Sequence, residues 1–181
     1  LTLSFYSCGI DPEYYSQVVP ENFYESQDNV WQRFYRPFTH WRWYVGSDAN
    51  HWECQELGTD EFCIPTRGSD WYNGGIYQLF HHHKYYDQMS SIDTGWNGFS
   101  MGISLAWDAF RDLSEVDFDK LKFSEGTRES MLSQLNVLVA YFSMEGLDLF
   151  GGVPLYGPND LDVRKQNYVY EGSGKYKGMF V

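Results

Sequence analysis

The sequence predicts a mainly α-helical domain, and three observations carry that prediction. Stretches at 21–44, 96–113 and 130–150 repeat apolar residues at intervals of three and four, the spacing of one helix face. Firm stop signals close the last of them, with Gly151 and Gly152 followed by Pro154. At 181 residues the chain is long enough for one domain with a real core.

In chain order, residues 9–20 carry turn and extended signals, bracketed by Pro12 and Pro20. Pro20 suits the first turn of a helix, and Glu21 suits its positive end. The helix over 21–44 aligns Val30, Phe34, Phe38 and Trp41 on one stripe. Pro37 lacks a backbone donor and crowds the preceding turn, so a kink or break is expected near Arg36. Gly46, Ser47 and Asp48 end this helix, and His51–Leu57 suit a short helical turn. Thr59–Gly75 keep no apolar period and form a loop. Ile76–Tyr86 read as a short aromatic-rich helix. Three consecutive histidines at 81–83 cannot all face one ion on a helix, where neighbours point about 100° apart, so no metal is expected there. The helix over 96–113 aligns Phe99, Ile103, Trp107, Phe110 and Leu113. Asp117–Glu125 form a polar connector. The helix over 130–150 aligns Met131, Leu135, Leu138 and Phe142, widened by Leu132, Val139 and Leu147. Residues 156–181, with scattered glycine and tyrosine, show no helical period.

Composition narrows the partners. The net charge of -12 argues against nucleic acid or an anionic membrane surface. Aromatics reach 19%, including 15 Tyr and 7 Trp. Tyrosine and tryptophan suit surfaces that grip partly apolar, partly hydroxylated ligands. Cys54 and Cys63 could pair or could both be buried thiols, and Cys8 stands apart. No stretch approaches the ~20 apolar residues of a membrane-spanning helix. The opening LTLSFYSCG resembles the tail of a lipoprotein signal, with Cys8 as the residue to be lipidated.

The loop TDEFCIPTRGSDWYNGG, Thr59–Gly75, concentrates the chemistry. Pro65, Gly68, Gly74 and Gly75 turn the backbone repeatedly. Trp71 offers a flat apolar face to the C–H side of a pyranose. Asp60, Arg67, Asp70 and Asn73 offer hydrogen bonds to hydroxyls. The same carboxylates admit a second reading, a carbohydrate hydrolase using Asp60 or Glu61 with Asp70. In a third reading the segment mainly docks a larger partner.

These residues resemble the N-terminal signature of the SusD/RagB family, outer-membrane glycan-capture lipoproteins. Ser16-Gln17-Val18 and Pro20-Glu21-Asn22-Phe23-Tyr24 resemble that family's opening motif. Trp96-Asn97-Gly98 with Gly102-Ile103, then Val139-Ala140-Tyr141-Phe142, then Leu149-Phe150-Gly151-Gly152-Val153-Pro154-Leu155, resemble its later landmarks in order. The resemblance runs from Cys8 to Leu155. It implies a tetratricopeptide-like helical scaffold with long loops, of which this chain covers the first third. It implies an anchor region at 1–8, a helical N-terminal domain at 9–155 and an irregular tail at 156–181. It implies a surface-exposed lipoprotein tethered to the outer membrane through Cys8. Such a subunit captures oligosaccharide, or in some members peptide, for a TonB-dependent SusC-like transporter. Such a subunit is not an enzyme, and no cofactor or metal site is assigned to it. The resemblance assigns ligand contact to Asp60, Arg67, Asp70, Trp71 and Asn73.

Overall fold

The computed structural model describes residues 23–46, 51–153 and 157–158. Cys8, the 9–22 segment with its opening motif, Ser47–Asp48, Pro154–Leu155 and most of the 156–181 tail lie outside the described residues. The described chain is mainly helical, with no strand among the described residues. Its elements are α1 (Gln27–Gly46), α2 (His51–Glu56), a 3-10 turn (Asn73–Gly75), α3 (Ile76–His81), α4 (Ser90–Glu115) and α5 (Thr127–Phe150).

Helix α1 starts at Gln27 rather than 21. Ser26 opens it, its hydroxyl accepting the Asn29 amide at 3.3 Å. The helix runs through Pro37 without the expected break. Its buried line is Val30, Phe34, Pro37, His40 and Tyr44, so the proline ring itself is packed inward. Trp41, expected on that stripe, is 38% exposed and lies edge-to-face with the Tyr141 ring. The face that packs passes through His40 and Tyr44 instead.

Helix α4 begins six residues before the predicted start, because Ser91 and Gly95 are buried within its first turns. It runs antiparallel to both long neighbours. Arg33 of α1 bonds Asp112 near the end of α4, whereas His40 lies against Gly98 near its start. Toward α5, Leu113 clusters with Met131 and Leu135, Ile103 with Leu138 and Phe142, and Phe99 with Val153. A central helix needs thin faces, and α4 supplies them with glycine and alanine. A Cβ on Gly98 would stand 2.4 Å from the Tyr44 ring, and one on Gly102 would stand 2.5 Å from Phe142. The predicted face through Trp107 and Phe110 is only half-buried.

The 117–125 connector is less polar in its packing than its composition suggests. Phe118 is buried, its ring centroid 4.8 Å from that of Phe123, and Arg128 caps it at 5.0 Å. Gly126, at φ 79°, turns the chain into α5, which starts at Thr127. Met131, Leu135, Leu138 and Phe142 are all buried as the periodicity requires, whereas Leu147 is exposed. A separate small core of Leu57, Tyr77, Phe80 and Met89 sits beneath the 59–75 loop.

Helix α3 ends at His81, short of the predicted Tyr86. His83 takes φ 53°, and the Lys84 amide reaches back to the Leu79 carbonyl at 2.8 Å. The three histidines are exposed.

Candidate functional site

The 59–75 loop is built as a series of anchored turns. Thr59 closes α2, its hydroxyl donating to the Glu56 carbonyl at 2.7 Å. Gln78 on α3 donates to the Thr66 hydroxyl at 2.9 Å. Arg67 and Asp70 exchange backbone hydrogen bonds at 3.1 and 3.0 Å, making a tight two-residue turn. Gly68, at φ 66°, supplies the positive φ such a turn demands at its first central position. Asn73 donates weakly to the Tyr77 hydroxyl at 3.4 Å.

Two side chains pay a backbone penalty here. Trp71 at φ 58° and Asn73 at φ 40° occupy the left-handed region. Asparagine tolerates that region, but for tryptophan it costs about 1 kcal/mol or more. Trp71 is nonetheless 60% exposed. Among the described aromatic rings its neighbour is Tyr77, at a centroid distance of 6.4 Å. The core therefore does not use this indole as a plug.

Below the loop lies a cleft of about 520 Å³ lined by Val45, Gly46, Trp52, Glu53, Phe62, Cys63, Ile64, Pro65, Arg67, Trp71 and Tyr77. Its walls are aromatic, with Trp52 and Phe62 in edge contact at 5.1 Å. A cleft of this size, mostly apolar with few polar groups, suits a small ligand or the end of a chain-like one. Arg67 and Trp71 line it. Asp60, Asp70 and Asn73 are exposed loop residues outside the lining, and so is Glu61.

The cleft's own carboxylic residue is Glu53, which sequence reasoning passed over. It is 2% exposed and accepts a hydrogen bond from the Ser91 hydroxyl, itself 1% exposed. Trp52, Phe62 and Tyr77 were missed as well. The aromatic surplus flanking the loop was the available signal, but only folding brings α1, α2 and α3 around it. Beside Glu53, burial pushes the Cys54 thiol up to about 11, with the Glu53 charge adding to the shift. A thiol so raised stays protonated at neutral pH and is a poor nucleophile. Cys54 and Cys63 are free, the first half-buried and the second exposed, so they match neither a disulfide nor a buried pair.

Among the described residues, no group of three or more His, Cys, Asp or Glu could hold a metal ion. No described helix is long and apolar enough to cross a membrane. Comparison of the chain with protein-family models, with curated proteins and with solved structures finds no match.

Proposed function

We propose that the chain is a glycan-binding subunit, and that the cleft under the 59–75 loop receives the oligosaccharide. One observation carries the reading: Trp71 is held out at the cleft, 60% exposed and in left-handed backbone, where packing gives it little reward. Strain retained without a packing return is a pointer to function. An exposed indole and a guanidinium lining one cleft offer a stacking face and a hydrogen-bonding fork, the equipment for a pyranose.

The wider proposal follows the SusD/RagB resemblance. The subunit is non-enzymatic, anchored to the outer membrane through Cys8, and hands its ligand to a TonB-dependent SusC-like transporter. The tetratricopeptide-like scaffold is supported by three long helices that alternate in direction, with α4 between α1 and α5. Asp60, Asp70 and Asn73, exposed around the loop, reach ligand portions that project beyond the cleft.

A hydrolase needs two carboxyls facing one bond. Glu53 is the carboxylic residue of the cleft lining, and Asp60, Glu61 and Asp70 lie outside it, so binding is the better-supported reading. The test is a glycan array followed by titration of the best ligand. Trp71→Ala should weaken binding about tenfold, ~1.4 kcal/mol, with the helical circular dichroism unchanged. Undiminished binding by this variant would remove the loop from the site. Reducing-sugar release that Asp70→Asn abolishes would overturn the non-enzymatic reading.

A further inference from the structure

The cleft's charge arrangement deepens that reading, on which the following inference rests. The lining holds one basic side chain, Arg67, and one acidic one, Glu53. They are not equivalent. Glu53 is buried and already engaged by Ser91. Arg67 is exposed, and its guanidinium forms no ion pair with another described residue. Its backbone is fixed by the two hydrogen bonds to Asp70, which begins the link to Trp71 one residue on. The Asp70 carboxylate, opposite Arg67 across the turn, does not approach it within ion-pair distance.

Among the other described arginines, Arg33 and Arg111 lie against Asp112, and Arg128 donates to the Val116 carbonyl while covering the Phe118 ring. Arg36 and Arg42 are exposed and, like Arg67, form no ion pair with another described residue, but neither lines this cleft. An unpaired guanidinium that lines the same cleft as the exposed Trp71 indole is suited to an anion brought by the ligand. The guanidinium fork matches a carboxylate bidentately. Neutral sugars would stack on the indole and offer the fork only hydroxyl acceptors, without the charge-assisted pair.

We propose that the cleft selects acidic oligosaccharides, with Arg67 pairing the carboxylate of a uronic or sialic acid residue while Trp71 stacks on a sugar ring. Arg67 is thus the specificity-determining residue, and Trp71 supplies affinity for charged and neutral sugars alike.

The test uses a panel of uronate- and sialate-containing oligosaccharides, each beside its carboxyl-reduced neutral twin, titrated against the 181-residue chain. The acidic member of the best pair should bind about fivefold more tightly, the upper end for a solvent-accessible charged pair. That advantage should shrink as salt rises through the range where the screening length falls below about 10 Å. Arg67→Gln should abolish the advantage by weakening the acidic member more than its neutral twin, whereas Trp71→Ala should weaken both members alike. Equal binding of acid and twin, or an advantage that survives Arg67→Gln, overturns the charge selectivity alone. Binding of neither class across the panel and a neutral glycan array overturns the glycan reading, and this inference with it.

Discussion

Trp71 and His40 show how single residues reveal opposite priorities. Trp71 accepts an unfavourable φ to stay exposed. Glycine adopts that conformation freely, whereas alanine keeps the penalty of its Cβ. Trp71→Gly should therefore be more stable than Trp71→Ala by about 1 kcal/mol, read from urea midpoints, although both lose the indole. Equal midpoints would mean that the left-handed backbone at this position is not retained. His40 is buried, its Nε2 2.8 Å from the Gly98 carbonyl, so Nε2 carries a hydrogen and donates there. Burial lowers its pKa below the ordinary 6.5, helped by nearby Arg36 and opposed by the Gly98 hydrogen bond. The unfolded chain thus takes up a proton that the folded chain resists. His40's contribution is fully present above the unfolded pKa and is lost as pH falls toward the folded one. Urea midpoints should fall from pH 7 to pH 5, and His40→Gln should flatten that slope. Identical slopes would sink the assignment.

At the scale of the element, α4 decides the architecture. It is buried on two sides, so its small residues matter more than its large ones. Gly98 lies under Tyr44 and Gly102 under Phe142, both rings fully buried. Gly102→Ala gains about 1 kcal/mol of helix propensity. It also forces a methyl group to within 2.5 Å of an immobile ring, and overpacking of this kind costs about 1–3 kcal/mol. The clash should win, with a net loss of about 1 kcal/mol in thermal or urea unfolding; a stabilised variant would show that α4 and α5 can separate cheaply. Helix α1 is held to α4 at the far end by Asp112, which accepts from Tyr24 at 2.9 Å and from Arg33 Nε at 2.7 Å. Burial first, then the hydrogen bond to Asp112 and its charge, push the Tyr24 hydroxyl well above its usual pKa, against the opposing effect of Arg33. This clamp joins α1 and α4 beside the shared core of Val30, Phe34, Leu113 and Met131.

Across the molecule, stability is unevenly distributed. Two large core clusters knit α1, α4 and α5, whereas the loop rests on the small cluster of Leu57, Tyr77, Phe80 and Met89. Segments with few buried contacts open at lower free energy than the global transition. Amides of 59–86 should exchange at least about a hundredfold faster than those of the buried face of α4, a difference of ~2.7 kcal/mol in opening. Uniform protection measured by hydrogen exchange would show a single cooperative unit instead. A site on the less stable part of a rigid frame can adjust to its ligand without disturbing the frame.

The sequence by itself determined the helical class, because a 3.6-residue period is a local property that survives in any tertiary setting. It placed α5 within three residues and found the loop as an aperiodic break. It also named Arg67 and Trp71, since charge and aromaticity are written in the residue. Three things only the tertiary structure decided. Trp41 is half out while His40 and Tyr44 are in, because the packed face of α1 is chosen by where α4 lies. Pro37 leaves α1 unbroken, because its buried ring packs within that face and the helix is supported on both sides of it. Glu53 and Trp52 join Arg67 and Trp71 around one cleft, whereas Asp60, Asp70 and Asn73 fall outside it. Neighbourhood along the chain is set by covalent bonds, but neighbourhood across a cleft is set by which helices bury which faces.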